Sequence, residues 1–251
     1  MRLLSYNIHI GAQPAGYGHY LTRAWRHALP GFAMHETLDA IGDVMQGYDF
    51  VAVQEADAGS LRTRFVNQME YLAKRAGFDH VDLVVNRDLR PVARHAMGFL
   101  SRHKPAAVVK HRLPGRIPGR SVLEVDLGPE AGDLSLLLTH LSLGHFDRHQ
   151  QLDFISGLVK PARPTVLLGD LNCEPDILRA HVALCGSGLC VPPETPATFP
   201  SWRPKLRLDH ILGSRRVAIR RLEALPSLLS DHLALAAEVA IQREALPPPP
   251  P

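Results

Sequence analysis

The feature that most constrains this chain is a set of strand-length apolar runs, each broken at its edge by an acid, an amide or a histidine. Asn7 follows Leu3-Leu4-Ser5-Tyr6, Glu55 follows Val51-Ala52-Val53-Gln54, and His140 follows Leu136-Leu137-Leu138-Thr139. Asp170 and Asn172 follow Val166-Leu167-Leu168-Gly169, Asp209 follows Leu208, and Asp231-His232 precedes Leu233-Ala234-Leu235. Burying such groups is costly unless they are paired or bind a cation, and strand ends are where α/β folds carry ligands. One such residue is a cap or a turn. Six sites of this kind are hard to explain as caps.

Strand-like runs rich in Val, Ile and Leu recur along the chain: Leu3–Ile10, Phe50–Gln54, Val81–Val85, Met97–Leu100, Ala106–His111, Val122–Leu127, Leu134–Leu141, Thr165–Leu168, Leu208–Leu212, Val217–Leu222 and Leu233–Ile241. Between them, Leu61, Phe65, Met69, Leu72 and Ala76 form one apolar helix stripe, with Ser60 as its expected N-cap and Gly77 as its stop. Further helices are expected at Thr37–Met45, His149–Val159 and Pro175–Leu184. This alternation predicts an α/β fold on two sheets with helices outside them. A catalytic domain over residues 1–243 and a proline-rich disordered tail over 244–251 are expected, with long loops at 11–34 and 186–207.

With 45% apolar and 21% charged residues, a substantial core is available and general disorder is excluded. The three cysteines, Cys173, Cys185 and Cys190, do not make a disulfide framework. No apolar run approaches membrane-spanning length, and the first residues enter a strand without a signal-peptide layout, so a cytoplasmic monomer is expected. The net charge of +3 is unevenly spread. Residues 86–120 carry nine Lys or Arg against Asp88 alone, and residues 203–221 carry seven against Asp209 alone. Such clustering favours an anionic substrate or surface, a nucleic acid or an anionic lipid among them; a solvated basic face is the other reading.

The residue types at the strand edges suit phosphoester chemistry. Carboxylate and amide oxygens are ligands for hard Mg²⁺ or Mn²⁺, and Glu55, Asp231 and Asn7 are the candidates to hold one. His140 and His232 offer hydrogen bonds to phosphoryl oxygens, and Asp209 a partner that orients His232. Asp170 offers a base for water, with Asn172 to hold that water at the phosphate.

The series Ser5-Tyr6-Asn7, Gln54-Glu55, Met97-Gly98-Phe99-Leu100-Ser101-Arg102, Thr139-His140-Leu141, Gly169-Asp170-Leu171-Asn172, Leu208-Asp209-His210-Ile211 and Ser230-Asp231-His232 resembles the endonuclease/exonuclease/phosphatase superfamily, in order and over residues 3 to 241. The resemblance implies a four-layer α/β sandwich, two packed mixed β-sheets flanked by helices, with the site at the strand edges. It also implies divalent-metal-dependent phosphoester hydrolysis, with the roles just given to each residue. Abasic-site endonucleases resembling exonuclease III have a tyrosine where this chain has His140, so the position is more similar to the deoxyribonuclease I, sphingomyelinase and inositol-phosphatase branches. Phe199-Pro200-Ser201-Trp202 resembles the Pro-x-Trp segment of inositol-polyphosphate 5-phosphatases, although Arg203–Arg207 intervene before Leu208-Asp209. Among relatives, small bacterial hydrolases of the superfamily are the nearest in character.

The first expectation is a phosphodiesterase acting on nucleic acid or a phospholipid. The alternatives are a phosphomonoesterase on an inositol-phosphate-like or other small phosphate, and a non-enzymatic anion-binding module. Trp202, Arg94 and Arg120 are candidate substrate contacts. His9, His145 and His149 are read mainly as surface residues, His210 as structural because alternation turns it from Asp209, and Cys173 as a buried filler.

Overall fold

The computed structural model describes residues 1–11 and 33–242; most of the loop expected at 11–34 and the proline tail lie outside them. Its strands form two six-stranded sheets. The first has the order β11 (Val217–Ala224), β12 (Leu235–Ile241), β1 (Arg2–Asn7), β2 (Phe50–Asp57), β4 (Ala93–Ser101), β3 (His80–Leu89). The second runs β5 (Ala107–Arg112), β6 (Ser121–Asp126), β7 (Ser135–His140), β8 (Thr165–Asp170), β10 (Asp209–Ser214), β9 (Leu189–Cys190). Each sheet has one parallel pair among antiparallel neighbours, β1 with β2 and β7 with β8. The site residues sit at the C-terminal ends of these two pairs.

Alternation along the strands builds the layers. Leu3, Phe50, Ala52, Leu136, Leu138, Leu168 and Ile211 belong to a core shared by residues of both sheets. Their neighbours Leu4, Val51 and Val53 pack with Leu38 and Ile41 of α1 (Ala33–Met45) and Met69 and Leu72 of α2 (Gln68–Ala76). Leu137, Leu167 and Leu212 pack with Leu152 and Ile155 of α3 (His145–Leu158), Leu178 of α4 (Pro175–Arg179) and Leu184 of α5 (Val182–Gly186). The result is the four-layer sandwich, helices outside two packed mixed sheets. No helix among the described residues is long and apolar enough to cross a membrane.

Two local expectations change. The stripe from Leu61 does not make one helix: Leu61–Thr63 is a single 3-10 turn, Arg64 and Phe65 have positive φ, and α2 starts after the cap Asn67. Buried Asp57 is the reason, because it accepts hydrogen bonds from Ser60 (2.7 Å), Arg62 (2.6 Å) and Thr63 (3.2 Å) and so folds their segment back. Phe65 is left 67% exposed. The helix expected over Pro175–Leu184 divides at His181, whose Nδ1 accepts the Leu184 N–H and caps α5.

Candidate active site

Backbone irregularities aim the site residues. In β2 the pairing with β4 slips between Val53 and Ala56, and Glu55 within that bulge has φ 53°. A bulge re-aims a side chain, and here it turns Glu55 toward β1, where Asn7 pairs with Gln54. In the second sheet His140 pairs with Asp170, and Asp209 of the antiparallel β10 pairs with Asp170 from the other side. Gly169 makes this close approach possible: its φ is 147°, and a Cβ there would strike the Thr139 carbonyl oxygen. Asn172, just past β8, has φ 52°, a conformation that asparagine tolerates better than most residues.

Asp170 Oδ2 is the meeting point of the two sheets. Asn7 Nδ2 donates to it (3.1 Å) and to Glu55 Oε1 (3.2 Å). His140 Nε2 lies 3.4 Å from the same Asp170 oxygen and 3.9 Å from Glu55 Oε1, and His232 Nε2 lies 3.9 Å from Asp170 Oδ2. Asp170 Oδ1 accepts the Asn172 N–H (3.0 Å), while Asn172 Nδ2 donates to the Leu141 carbonyl (2.9 Å). Behind His232, Asp209 Oδ2 meets Nδ1 at 2.8 Å and accepts the Thr198 hydroxyl at 2.5 Å. Ser230 Oγ donates to the Asn7 carbonyl (2.7 Å) and lies 3.2 Å from Asp231 Oδ1, and His9 Nδ1 is 3.5 Å from that oxygen.

Burial and charge set the protonation states. Burial, then the charge of Asp209, pushes the Asp170 carboxyl up to about 7. For His232 burial acts downward, but the charge and hydrogen bond of Asp209, followed by the charges of Asp170 and Asp231, overcome it and hold the imidazolium to about 10. Burial, then the positive charges of Arg120 and His232, holds His140 well below the usual imidazole range, so it is neutral. The site thus combines an acid poised near neutrality, one imidazolium and one neutral imidazole.

A cation would find hard oxygen donors here. Asp170, Asp209 and His232 lie close enough to be ligands of one ion, but Asp209 Oδ2 already takes Thr198 and His232, while His232 Nε2 stands 3.9 Å from Asp170 Oδ2. Glu55 and Asp231 lie outside those three, and the Asn7 side chain bridges Glu55 to Asp170. As oriented, Asn7 accepts the His9 N–H at its oxygen (3.2 Å) and donates from its nitrogen to the Glu55 and Asp170 carboxylates, so it positions those two. A second group, His149, Asp153 and His181, is a weaker candidate for an ion. The Leu184 N–H occupies His181 Nδ1, which leaves the proton on Nε2, 3.6 Å from Asp153.

Beside Glu55 and His140 opens a cavity of about 400 Å³, also lined by Arg120, His95 and Arg87. Arg120 faces the charges of Glu55 and Asp170. Arg94, the companion candidate, does not line the cavity; its Nη1 binds the Ala58 carbonyl (2.6 Å) and its backbone N–H binds Asp57 (3.1 Å), so it is committed to the β2–β4 region. Trp202 does not line it either. The second basic segment is partly tied into the fold, with Arg207 bound to the Thr195 carbonyl (2.9 Å) and Arg221 to Glu223 (3.0 Å). His210 is buried with Nε2 2.8 Å from the Cys173 carbonyl. His9, read from the sequence mainly as a surface residue, is half-buried with Nδ1 3.5 Å from Asp231 Oδ1. Thr198 was not singled out by the sequence, since a lone threonine in a loop carries no periodic or motif signal.

The sequence matches the family model for the Endonuclease/Exonuclease/phosphatase family over residues 4–232. No curated protein sequence matches significantly. Among solved structures, an endonuclease/exonuclease/phosphatase from Beutenbergia cavernae is similar with a TM-score of 0.71 and 22% identity, over 96% of this chain and 72% of that one. The mannosyl-6-phosphatase Bt3783 of Bacteroides thetaiotaomicron is similar with a TM-score of 0.67 and 15% identity, over 96% of this chain and all (100%) of that one. A humanized TDP2 of D. rerio gives 0.67 and 15%, over 96% and 98%. At these identities the structural likeness speaks for the fold.

Proposed function

This chain belongs to the endonuclease/exonuclease/phosphatase family, and from that premise we propose that it is a Mg²⁺- or Mn²⁺-dependent phosphoester hydrolase, with phosphodiesters as its first substrate class. The observation that carries this reading is the convergence of Asn7, His140 and His232 on one oxygen of Asp170, with Glu55 alongside.

Glu55 and Asp231, with Asn7 beside Glu55, would hold the divalent ion, which when bound supplies Lewis-acid polarisation of a phosphoryl oxygen. The donor set fits a hard cation, since carboxylate oxygens predominate and no cysteine lies among them. Asp170, poised near 7, accepts the proton of the attacking water, and Asn172 fixes the loop that orients it. The His232 imidazolium, anchored by Asp209, donates from Nε2 to a phosphoryl oxygen as negative charge grows there. Neutral His140 donates a second hydrogen bond, and Arg120 adds a fixed positive charge.

A phosphomonoesterase is the second reading, favoured by the bounded cavity beside Glu55 and by the likeness to a fold whose protein is named a mannosyl-6-phosphatase. Bis-p-nitrophenyl phosphate and p-nitrophenyl phosphate, assayed on one preparation with Mg²⁺, Mn²⁺ or chelator, separate the two. Metal-dependent turnover lost in Glu55→Ala supports hydrolysis. No turnover of either ester with any divalent ion would leave an anion-binding module.

A further inference from the structure

One histidine on the cavity wall has no part in the hydrolytic step as derived above. His95, on β4, lines the cavity together with Glu55, Arg87 and Arg120. In the sheet it pairs with Asp57 of β2 on one side and Arg87 of β3 on the other. Behind it stands a buried ion pair: Arg62 Nε lies 2.6 Å from Asp57 Oδ2, and Arg62 Nη2 lies 3.5 Å from His95 Nδ1.

A guanidinium carries donors only, so the Nδ1 that faces it is an acceptor and the ring proton lies on Nε2. Burial, then the charge of Arg62, lowers His95 from the usual imidazole range, which keeps the ring neutral. The ring is half-buried, and Nε2 neither makes a hydrogen bond among the described residues nor is closed off from solvent. His95 is thus a donor of fixed tautomer with an open end.

The surroundings narrow what that donor meets. Arg87 and Arg120 also bring donors alone to this wall, and they repel cations. In the hydrolase reading the Glu55 carboxylate is taken up with the divalent ion. An anionic oxygen is the acceptor that suits such a wall. We propose that His95 is a substrate-binding residue whose Nε2–H donates to a phosphoryl oxygen of the ligand seated beside Glu55, and that Asp57 and Arg62 are its positioning residues. The assignment rests on the hydrolase reading for the choice of phosphate as the ligand.

Proton–nitrogen correlation spectra of the full chain with Mg²⁺ read the imidazole directly, the His95 signals being identified by their loss in His95→Gln. They should show the Nε2–H tautomer at pH 7, and inorganic phosphate should shift Nε2 more than Nδ1. In calorimetric titration, inorganic phosphate should bind about tenfold more weakly to His95→Leu. It should stay within threefold of the parent in His95→Gln, whose amide still donates. In Arg62→Gln, whose amide can face either ring tautomer, both tautomers should appear. A single unchanged tautomer in a folded Arg62→Gln would overturn the positioning role; if that variant does not fold, the parent spectra and the His95 variants decide. An Nδ1–H tautomer or an imidazolium in the parent at pH 7 would overturn the assignment. So would His95 signals that phosphate leaves unmoved, or a well-folded His95→Leu protein that binds phosphate like the parent. None of these readouts needs turnover, so a failure to hydrolyse bis-p-nitrophenyl phosphate bears on the hydrolase reading alone.

Discussion

Asp209 stands directly opposite Asp170 in the antiparallel register of β10 and β8, so two buried carboxylates share one pair of neighbouring strands. They are not equivalent. Thr198 and His232 both meet Asp209 Oδ2, while Asp170 is left to the Asn7 amide, the Asn172 N–H and the site itself. One carboxylate is therefore a fixed anchor and the other is free to exchange a proton, a division of labour that follows from strand register.

The first consequence concerns stability. A folded-state value near 7, above the 3.8 of a free aspartate, means that the fold binds this proton more tightly than the unfolded chain does. Ionising Asp170 therefore costs stability progressively as pH rises from 3.8 through about 7. In chelator at pH 8, Asp170→Asn should melt higher than the parent by roughly 5 °C, on the order of 2 kcal/mol. Near pH 4 the difference should vanish, and Mg²⁺ should narrow it at pH 8 by stabilising the parent. Equal melting temperatures at pH 8 would mean that Asp170 is not repelled by its surroundings.

The second concerns the pH profile. Activity should fall on the acid side as Asp170 takes up its proton, with an apparent midpoint at or below about 7 when the cation is bound. The alkaline side should stay flat until His232 begins to deprotonate toward 10. In Asp209→Asn the charge that raises His232 is gone, so the alkaline limb should move down by at least one unit and kcat should drop about a hundredfold. A profile of kcat/KM that rises steadily to pH 4 with metal saturating is incompatible with Asp170 as base.

The third concerns Gly169. Any side chain there meets the Thr139 carbonyl across the β7–β8 pair, and the backbone already has φ 147°. Gly169→Ala should therefore cost about 3 kcal/mol or more in urea unfolding and lower the soluble yield. A loss below about 0.5 kcal/mol would show that the two strands can separate without harm.

The fourth separates the two basic segments. Arg87 and Arg120 line the cavity, whereas Arg203 and Lys205 are exposed and do not. Reversing Arg203 and Lys205 to Glu together should change kcat/KM for a small chromogenic ester less than twofold, with a weak salt dependence. A several-fold rise in KM for an oligonucleotide, with the small ester unaffected, would instead identify that face as a binding surface for extended polyanions.

Much of this was legible in the sequence because it lies in single strands. Leu3-Leu4-Ser5-Tyr6-Asn7 and Val166-Leu167-Leu168-Gly169-Asp170 declare both the alternation that builds the layers and the polar residue at the edge. What was not legible depends on contacts between distant elements. Asp57 recruits Ser60, Arg62 and Thr63 and so shortens α2, although the Leu61-Phe65-Met69 spacing is helical. Arg62 and His95 meet from the 61–63 turn and β4, and neither lies in a pattern that distinguishes it from a surface residue. The two-residue strand β9 is too short to leave a period.

The most direct measurement of the central claim is kcat/KM for bis-p-nitrophenyl phosphate with saturating Mg²⁺ or Mn²⁺, in the parent and in Asp170→Asn whose fold has been checked by melting. Convergence on Asp170 Oδ2 predicts metal-dependent turnover in the parent and a loss of about a thousandfold in a variant that is at least as stable at pH 8. Turnover in Asp170→Asn within tenfold of the parent would contradict it.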